Sequence, residues 1–171
     1  SNSIITGIRI TPLLRIASKA NESSNVSTKQ MNHKRLLFRS IYYPIMALLK
    51  VVYMLSTSWY MKLLTSFLKS CGIRITGAPN YISSDVYFDN FHRITLGHDC
   101  VISKQVVFLT HDFSITVAMK AAGRTPDTDV SIDGDIMIGN NVFIGLRTTL
   151  LPGTTIGENT VIGAGSLVKG H

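Results

Sequence analysis

The sequence predicts a mainly β protein: a parallel β-helix of hexapeptide repeats, with an α-helical N-terminal segment and an 18-residue loop excursion. The first observation is an aliphatic residue at every sixth place from 132 to 168, usually followed by glycine. The second is a segment, 31–72, with many aromatic and basic residues and no acidic one. The third is a break in the six-residue period between 108 and 132.

A period of six fits neither a helix, which repeats every 3.6 residues, nor a single strand, which repeats every 2. The first places of the hexads are Ile132, Ile138, Ile144, Leu150, Ile156, Ile162 and Val168, and Leu96, Ile102 and Phe108 continue the series backwards. Second places are often glycine, which suits a sharp corner, and fifth places are mostly small or β-branched, which suits a short strand. Such units predict coils that stack, with the first-place residues inside.

The break in the period predicts a loop. An unbroken coil would advance six residues from the hexad at 108, but the next hexad in the frame begins at 132. We therefore expect about 18 residues, 114–131, to leave the coil, and their polar composition with Gly and Pro is typical of a loop. Long loops on rigid scaffolds often carry function.

The charge of the chain lies mainly outside the repeats. The net charge is +7, but residues 73–171 hold seven basic and nine acidic residues, whereas 31–72 hold six basic residues and no acidic one. This pattern argues against a nucleic-acid groove in the repeats and favours amphipathic helices over 31–72 near phosphate or an anionic membrane. Packing of these helices on the coil or on a neighbouring subunit is an equally open interpretation.

The remaining composition predicts a cytoplasmic protein. Arg39, Lys50 and Lys62 interrupt the apolar stretch, so no uncharged run approaches the roughly 18–20 residues of a membrane span. Cys71 and Cys100 have neither a disulfide framework nor metal-ligand spacing, which predicts packing roles in a reducing compartment, with contact to the inner face of the membrane through 31–70 as a further expectation.

The hexads, together with the segment "THDFS" at 110–114, resemble the hexapeptide-repeat acyltransferases, among them maltose- and galactoside-type and polysaccharide O-acetyltransferases. The resemblance implies a left-handed coil with three hexads per turn. It also implies a homotrimer with active sites between neighbouring coils, and acetyl-CoA as a co-substrate without a tightly bound cofactor.

The resemblance identifies His111 as the general base that removes the proton of an acceptor hydroxyl. Asp112 either orients the imidazole or caps the loop, and the sequence favours neither. An isolated corner histidine bonded to loop backbone is the alternative interpretation of His111.

The other site residues are also expectations from the resemblance and from stacking. The segment "FDNFHR" resembles an acceptor-binding segment of the family, which places Asn90 and Asp89 near the acceptor, although an asparagine in a turn is an equal alternative. Three hexads per coil would stack Arg93, His111, Arg147 and Gly165 on one edge, with Arg93 near the acceptor. The predicted acetyl-CoA residues are Gly145, Leu146, Arg147, Gly163, Ala164, Lys169 and Arg9, with an oxyanion donor in the 145–147 backbone. His92 and His98 sit on different faces of the coil, so no metal site is expected.

The chain order resembles a rotated version of the family's order. Residues 1–16 resemble the segment that follows the last coil in the family, 17–30 read as a serine-rich linker, and Met31 opens a segment like a natural start. The prediction is a circular permutation, 31–171 followed by 1–30, with the β-helix domain over 73–171. An ordinary N-terminal extension is the alternative.

The function expected from the resemblance is transfer of an acetyl group from acetyl-CoA to a saccharide hydroxyl without a covalent intermediate. The basic, aromatic helices favour a cell-envelope glycan or its lipid-linked precursor, hence a role in polysaccharide biosynthesis. The alternatives are an acetyltransferase for an amino acid or antibiotic, and a non-catalytic β-helical scaffold.

Overall fold

The computed structural model describes residues 28–170, with side chains from residue 40 onward. The segment 1–16 with Arg9, most of the 17–30 linker and the predicted rotation of chain order therefore concern residues outside the described part. Two helices come first, α1 (Thr28–Leu55) and α2 (Thr57–Cys71). Ser56 lies between them and caps α2 by accepting a hydrogen bond from the Trp59 backbone N–H at 3.4 Å.

Short strands make up most of the remaining chain. They are β1 (Arg74–Ile75), β2 (Tyr81–Ile82), β3 (Tyr87–Phe88), β4 (Ile94–Leu96), β5 (Val101–Ile102), β6 (Val107–Phe108), β7 (His111–Asp112), β8 (Ile132–Asp133), β9 (Ile136–Ile138), β10 (Phe143–Ile144), β11 (Thr149–Leu150), β12 (Thr155–Ile156), β13 (Val161–Ile162) and β14 (Leu167–Val168). A 3₁₀-helix covers Phe91–Arg93, and α3 covers Ser114–Ala121.

Three parallel sheets form the faces of a triangular prism. Their strand orders are β1-β4-β9-β12, β2-β5-β10-β13 and β3-β6-β11-β14, here called faces A, B and C. Successive strands along the chain belong to successive faces, and each strand pairs with the strand one turn away. This is the left-handed parallel β-helix of hexapeptide repeats with an N-terminal helical segment, so the predicted fold class is confirmed.

The interior of the prism is built from the predicted first-place residues. The register pairs Leu96 with Ile138, Ile102 with Ile144 and Phe108 with Leu150, and the members of these pairs are at most 3% exposed. Burial of an aliphatic or aromatic side chain of this size stabilises a fold by about 1.5–3 kcal/mol. The stack of these residues is therefore the main source of stability in the repeats.

The excursion is longer than the 18 residues predicted. Uninterrupted coils are offset by 18 residues, as Ile138 pairs with Ile156, but Leu96 pairs with Ile138, an offset of 42. Since 42 exceeds 18 by 24, a whole further hexad leaves the coil. Ile132 is part of that departure, because it pairs antiparallel with Asp112 instead of filling the interior. Its place in the six-residue frame was a wrong prediction from coincidence of period.

The two helices pack against the first coil of the prism. Tyr60, Leu64 and Leu68 of α2 are at most 1% exposed and join the same apolar core as the strand residues. The Tyr60 hydroxyl donates to the Ile82 carbonyl at 2.8 Å, which satisfies the one polar atom of a buried ring. Burial raises the pKa of this phenol above its ordinary value. The helical segment thus covers the N-terminal end of the coil stack.

Candidate active site

A 24-residue arm leaves the prism at the corner between faces C and A. The Gly134 N–H donates to the Thr110 carbonyl at 3.0 Å, so the chain leaves and returns at one coil position. A side chain at Gly134 would collide with the backbone of Gly153 in the next coil, which explains the glycine at the return point. His111 is the first residue outside the coil, and it pairs with Asp133 on the returning strand.

A buried carboxylate holds the imidazole of His111. Asp89 lies one coil earlier at the end of β3, and its side chain is 10% exposed, against 40% for His111. The Asp89 Oδ2 atom contacts His111 Nδ1 in an ion-pair arrangement. The same oxygen accepts hydrogen bonds from the Thr110 backbone N–H at 3.2 Å and from Thr110 Oγ1 at 2.9 Å. Since Nδ1 faces the carboxylate, Nε2 is the ring nitrogen left to exchange a proton with a bound molecule.

The position of Asp112 decides between its two predicted roles. Its Oδ1 atom accepts a hydrogen bond from the Ser114 backbone N–H at 2.8 Å, at the start of α3. Asp89, and not Asp112, contacts the imidazole in the structure. Asp112 therefore fits the capping alternative, and the orienting contact belongs to Asp89, which the sequence placed with the acceptor.

Asn90 and Arg93 serve the local structure of the same corner. Asn90 Oδ1 accepts from the His92 backbone N–H at 3.2 Å and so caps the 3₁₀-helix, which matches the turn alternative. Arg93 lies 3.2 Å from Asp135 and 3.6 Å from Asp133, on the returning strand of the arm. The guanidinium thereby ties the arm to the coil beneath it, beside His111.

The predicted edge of Arg93, His111, Arg147 and Gly165 does not form. Arg93 and His111 share the corner between faces C and A, but Arg147 lies at the corner between B and C. There it donates from Nε to Gln105 Oε1 at 2.9 Å, and its backbone N–H donates to the Lys104 carbonyl at 3.1 Å. The stacking prediction was wrong because it removed too few residues from the coil.

The residues predicted to bind acetyl-CoA occupy two corners of one chain. Gly145, Leu146 and Arg147 stack beneath Gly163 and Ala164 at the corner between B and C, where a side chain added at Gly145 would lie 2.5 Å from the Ala164 nitrogen. The Gly145 N–H donates to the Ile162 carbonyl at 2.9 Å. Lys169 follows β14 and belongs to the corner that carries His111. Within a single chain the first five residues are thus separated from the imidazole.

The cysteines and remaining histidines form no second reactive cluster in the part of the chain that the structure describes. Burial raises the pKa of the Cys71 and Cys100 thiols, which disfavours the nucleophilic thiolate. His98 pairs with Asp99 at 2.7 Å on another corner. Among residues 40–170, no three His, Cys, Asp or Glu side chains converge as metal ligands.

Sequence reasoning missed the roles of Asp89 and Thr110. Both lie in or next to motifs that drew attention, but the sequence does not say that residue 89 lies directly beneath residue 110. The signal available is an aspartate at the end of one coil's strand and "TH" at the end of the next. Recognising it requires the length of the first, irregular coil.

Comparison with known proteins agrees with this architecture. Residues 129–170 match the family described as bacterial transferase hexapeptide (six repeats). Together with the three parallel sheets, this match places the coils in the hexapeptide-repeat acyltransferase superfamily, for which acyl transfer is the general activity.

Two solved structures are similar to the chain. A maltose O-acetyltransferase from Clostridium difficile 630 is 21% identical over 74% of this chain and 75% of that chain, with a TM-score of 0.38. Serine acetyltransferase isoform 3 from Entamoeba histolytica, in complex with cysteine, is 18% identical over 74% of this chain and 42% of that chain, with a TM-score of 0.29. No curated protein sequence matched the chain.

Proposed function

We propose that this protein is an acetyl-CoA-dependent O-acetyltransferase whose acceptor is a saccharide hydroxyl, on a cell-envelope glycan or its lipid-linked precursor. The observation that carries the proposal is the Asp89–His111 pair at the base of the arm. A half-exposed imidazole backed by a nearly buried carboxylate is an arrangement suited to general base catalysis. The saccharide is favoured by the resemblance to maltose- and galactoside-type enzymes and by the character of the helical segment.

In the proposed reaction, His111 Nε2 takes the proton of the acceptor hydroxyl while the oxygen attacks the thioester carbon. The carbonyl becomes an oxyanion, and its collapse breaks the carbon–sulfur bond. The proton held on Nε2 passes to the departing CoA sulfur, so the products are an acetyl ester and free CoA thiol. Asp89 stabilises the imidazolium that exists between the two proton transfers.

We further propose that the active unit is a homotrimer acting in the cytoplasm. The corner of Gly145–Arg147 and the corner of His111 are distinct on one chain, and a second copy can bring them together. Exposed apolar side chains near the first corner support an interface there: Leu146 is 42% exposed, Val161 76% and Leu167 70%. Acetyl-CoA would then lie between the His111 of one chain and the Gly145–Arg147 corner of its neighbour.

Release of CoA thiol from acetyl-CoA, measured with a panel of mono- and oligosaccharides, tests the proposal. An accepted sugar should elicit thiol release, and His111→Ala should lower it by about 10²–10⁴-fold. His98→Ala is the matched control, since it removes another imidazole paired with an aspartate, and its activity should equal that of the unsubstituted protein.

Three outcomes would count against the proposal. If only amino acids or aminoglycosides elicit turnover, the acyl-transfer class stands and the saccharide is wrong. If no acceptor elicits turnover and acetyl-CoA does not bind, a non-catalytic scaffold is the better account. If His111→Ala and His98→Ala behave alike, the base has been misassigned.

A further inference from the structure

The first helix carries a second apolar stripe that faces away from the core. The inner stripe is Ile45, Met46, Leu49 and Val52, which pack into the core cluster. The outer stripe is Ile41, Pro44, Leu48, Val51 and Leu55. Its spacings of three and four residues place all five on one side of α1. The inner stripe accounts for packing on the prism, so the outer stripe needs a different explanation.

The outer stripe is exposed to an unusual degree for apolar residues. Ile41 is 54% exposed, Leu48 64%, Val51 53% and Leu55 83%. Next to it at the turn between the helices stand Met54, 83% exposed, and Trp59, 63% exposed. A contiguous apolar surface of this kind marks an interaction site.

The charges around this surface are all of one sign. Residues 31–72 contain six basic residues and no acidic one. Lys62 on α2 places its ammonium 5.5 Å from the centre of the Trp59 ring. Lys50 and Met54 of α1 line a recess of about 300 Å³, in which Lys104 of the prism also takes part. Asp85, the acidic residue of that recess, is engaged by the Ser83 hydroxyl at 2.6 Å.

This distribution of charge selects among possible occupants. Two copies of the hairpin meeting face to face would bring lysines together without carboxylates to pair them, which disfavours self-association. An anionic lipid surface supplies both the apolar layer for the stripe and the negative charge for the lysines. Tryptophan and tyrosine, present as Trp59, Tyr43 and Tyr53, are the side chains that favour the boundary between lipid and water.

The helices do not meet the requirements of a membrane span. Across the described residues, no helix is both long enough and apolar enough to cross a bilayer. A surface helix with an apolar stripe and flanking cations instead lies in the plane of the membrane.

We propose that the α1–α2 hairpin is a peripheral docking surface for an anionic lipid bilayer. The stripe of Ile41, Leu48, Val51 and Leu55, with Met54 and Trp59 at its end, enters the acyl boundary. Lys50, Lys62 and Lys69 remain at the level of the headgroups. The inference is independent of the proposed function, because no residue of the Asp89–His111 site takes part in it.

Co-sedimentation of the full chain with lipid vesicles tests this inference. The protein should sediment with vesicles of phosphatidylcholine and phosphatidylglycerol in equal parts, and much less with phosphatidylcholine alone. Leu55→Ser should lower the partition coefficient about tenfold, and Leu48→Ser with Leu55→Ser about a hundredfold. Lys50→Gln with Lys62→Gln should lower binding to the anionic vesicles about thirtyfold.

Val117→Ser is the matched control. Val117 lies on α3 and is 70% exposed, so it resembles the stripe residues in exposure but not in position. Its variant should bind vesicles like the unsubstituted protein. Circular dichroism of each variant should retain the helical signal, since the substituted side chains are exposed.

Any of three results overturns the inference. One is absence of binding to the anionic vesicles. Another is equal binding to both vesicle types with no effect of the lysine substitutions, which removes the role of charge. The third is a change of oligomeric mass in the Leu48→Ser/Leu55→Ser variant with vesicle binding unchanged, which assigns the stripe to a contact between copies.

Discussion

Replacing Asp89 by asparagine tests how the imidazole is activated. The amide oxygen can still accept from Thr110, whose N–H and hydroxyl both point at Asp89 Oδ2, so the fold of the corner should persist. What the substitution removes is the negative charge beside His111 Nδ1. With the carboxylate only 10% exposed, solvent screens this charge little, and its loss should weaken the imidazolium formed during proton transfer.

The size of the effect follows from the strength of such contacts. A hydrogen bond to a charged group contributes about 1.5–3 kcal/mol. If it acts mainly in the transition state, turnover should fall by a factor of about 10–150. The Michaelis constants for acetyl-CoA and the acceptor should change little, since Asp89 is shielded behind the imidazole and Thr110.

The assay is initial-rate thiol release with the best acceptor, at saturating acetyl-CoA. Asp99→Asn is the control, because Asp99 forms the other aspartate–histidine pair, 2.7 Å from His98. Unchanged turnover in Asp89→Asn, or an equal loss in Asp99→Asn, would refute the reasoning. Thermal unfolding of both variants separates a catalytic loss from a loss of folded protein.

Thr110→Val removes one hydroxyl donor to Asp89 at a site 1% exposed, so unfolding free energy should fall by about 1 kcal/mol and turnover by several-fold, while Thr110→Ser should restore both. Gly145→Ala would place a methyl group 2.5 Å from the next coil, so denaturant unfolding should show a loss of about 1–3 kcal/mol, whereas Gly157→Ala meets nothing within 4 Å and should be near neutral. Burial raises the pKa of Tyr42 from 10.0 to about 12, so the unfolded state ionises first and stability should decline as pH rises through this interval. Tyr42→Phe should flatten that decline in pH-dependent thermal melts.

The periodic part of the fold could be predicted because each coil repeats the same packing problem. Ile138, Ile144, Leu150 and Ile156 face one interior at one spacing, so the residue types alone mark the inward positions. The apolar helical segment was predictable for a related reason, since its aromatic and basic character persists over forty residues. Neither prediction needed knowledge of which coil lies beside which.

The candidate site depends on that missing knowledge. The pairing of Asp89 with His111 crosses from the irregular first coil to the arm, and no spacing rule connects them. Ile132 kept the six-residue frame although it lies in the arm, which shifted the predicted stack by one face and brought Arg147 to the wrong corner. Periodicity records which side chains are apolar, but the count of residues that leave the coil is set by the arm's own hydrogen bonds, such as Thr116 Oγ1 to the Val130 carbonyl at 2.8 Å.

The closure of the arm at a single coil position makes it an exchangeable cassette. Gly134 resumes the coil where Thr110 left it, so the stack above and below is indifferent to the number of residues between them. Doubling the length of such a loop costs only about 0.6 kcal/mol in closure entropy. Evolution, or a designer, can therefore lengthen, shorten or rewrite the arm to change what the protein recognises, while His111 and its carboxylate remain anchored to an unaltered frame.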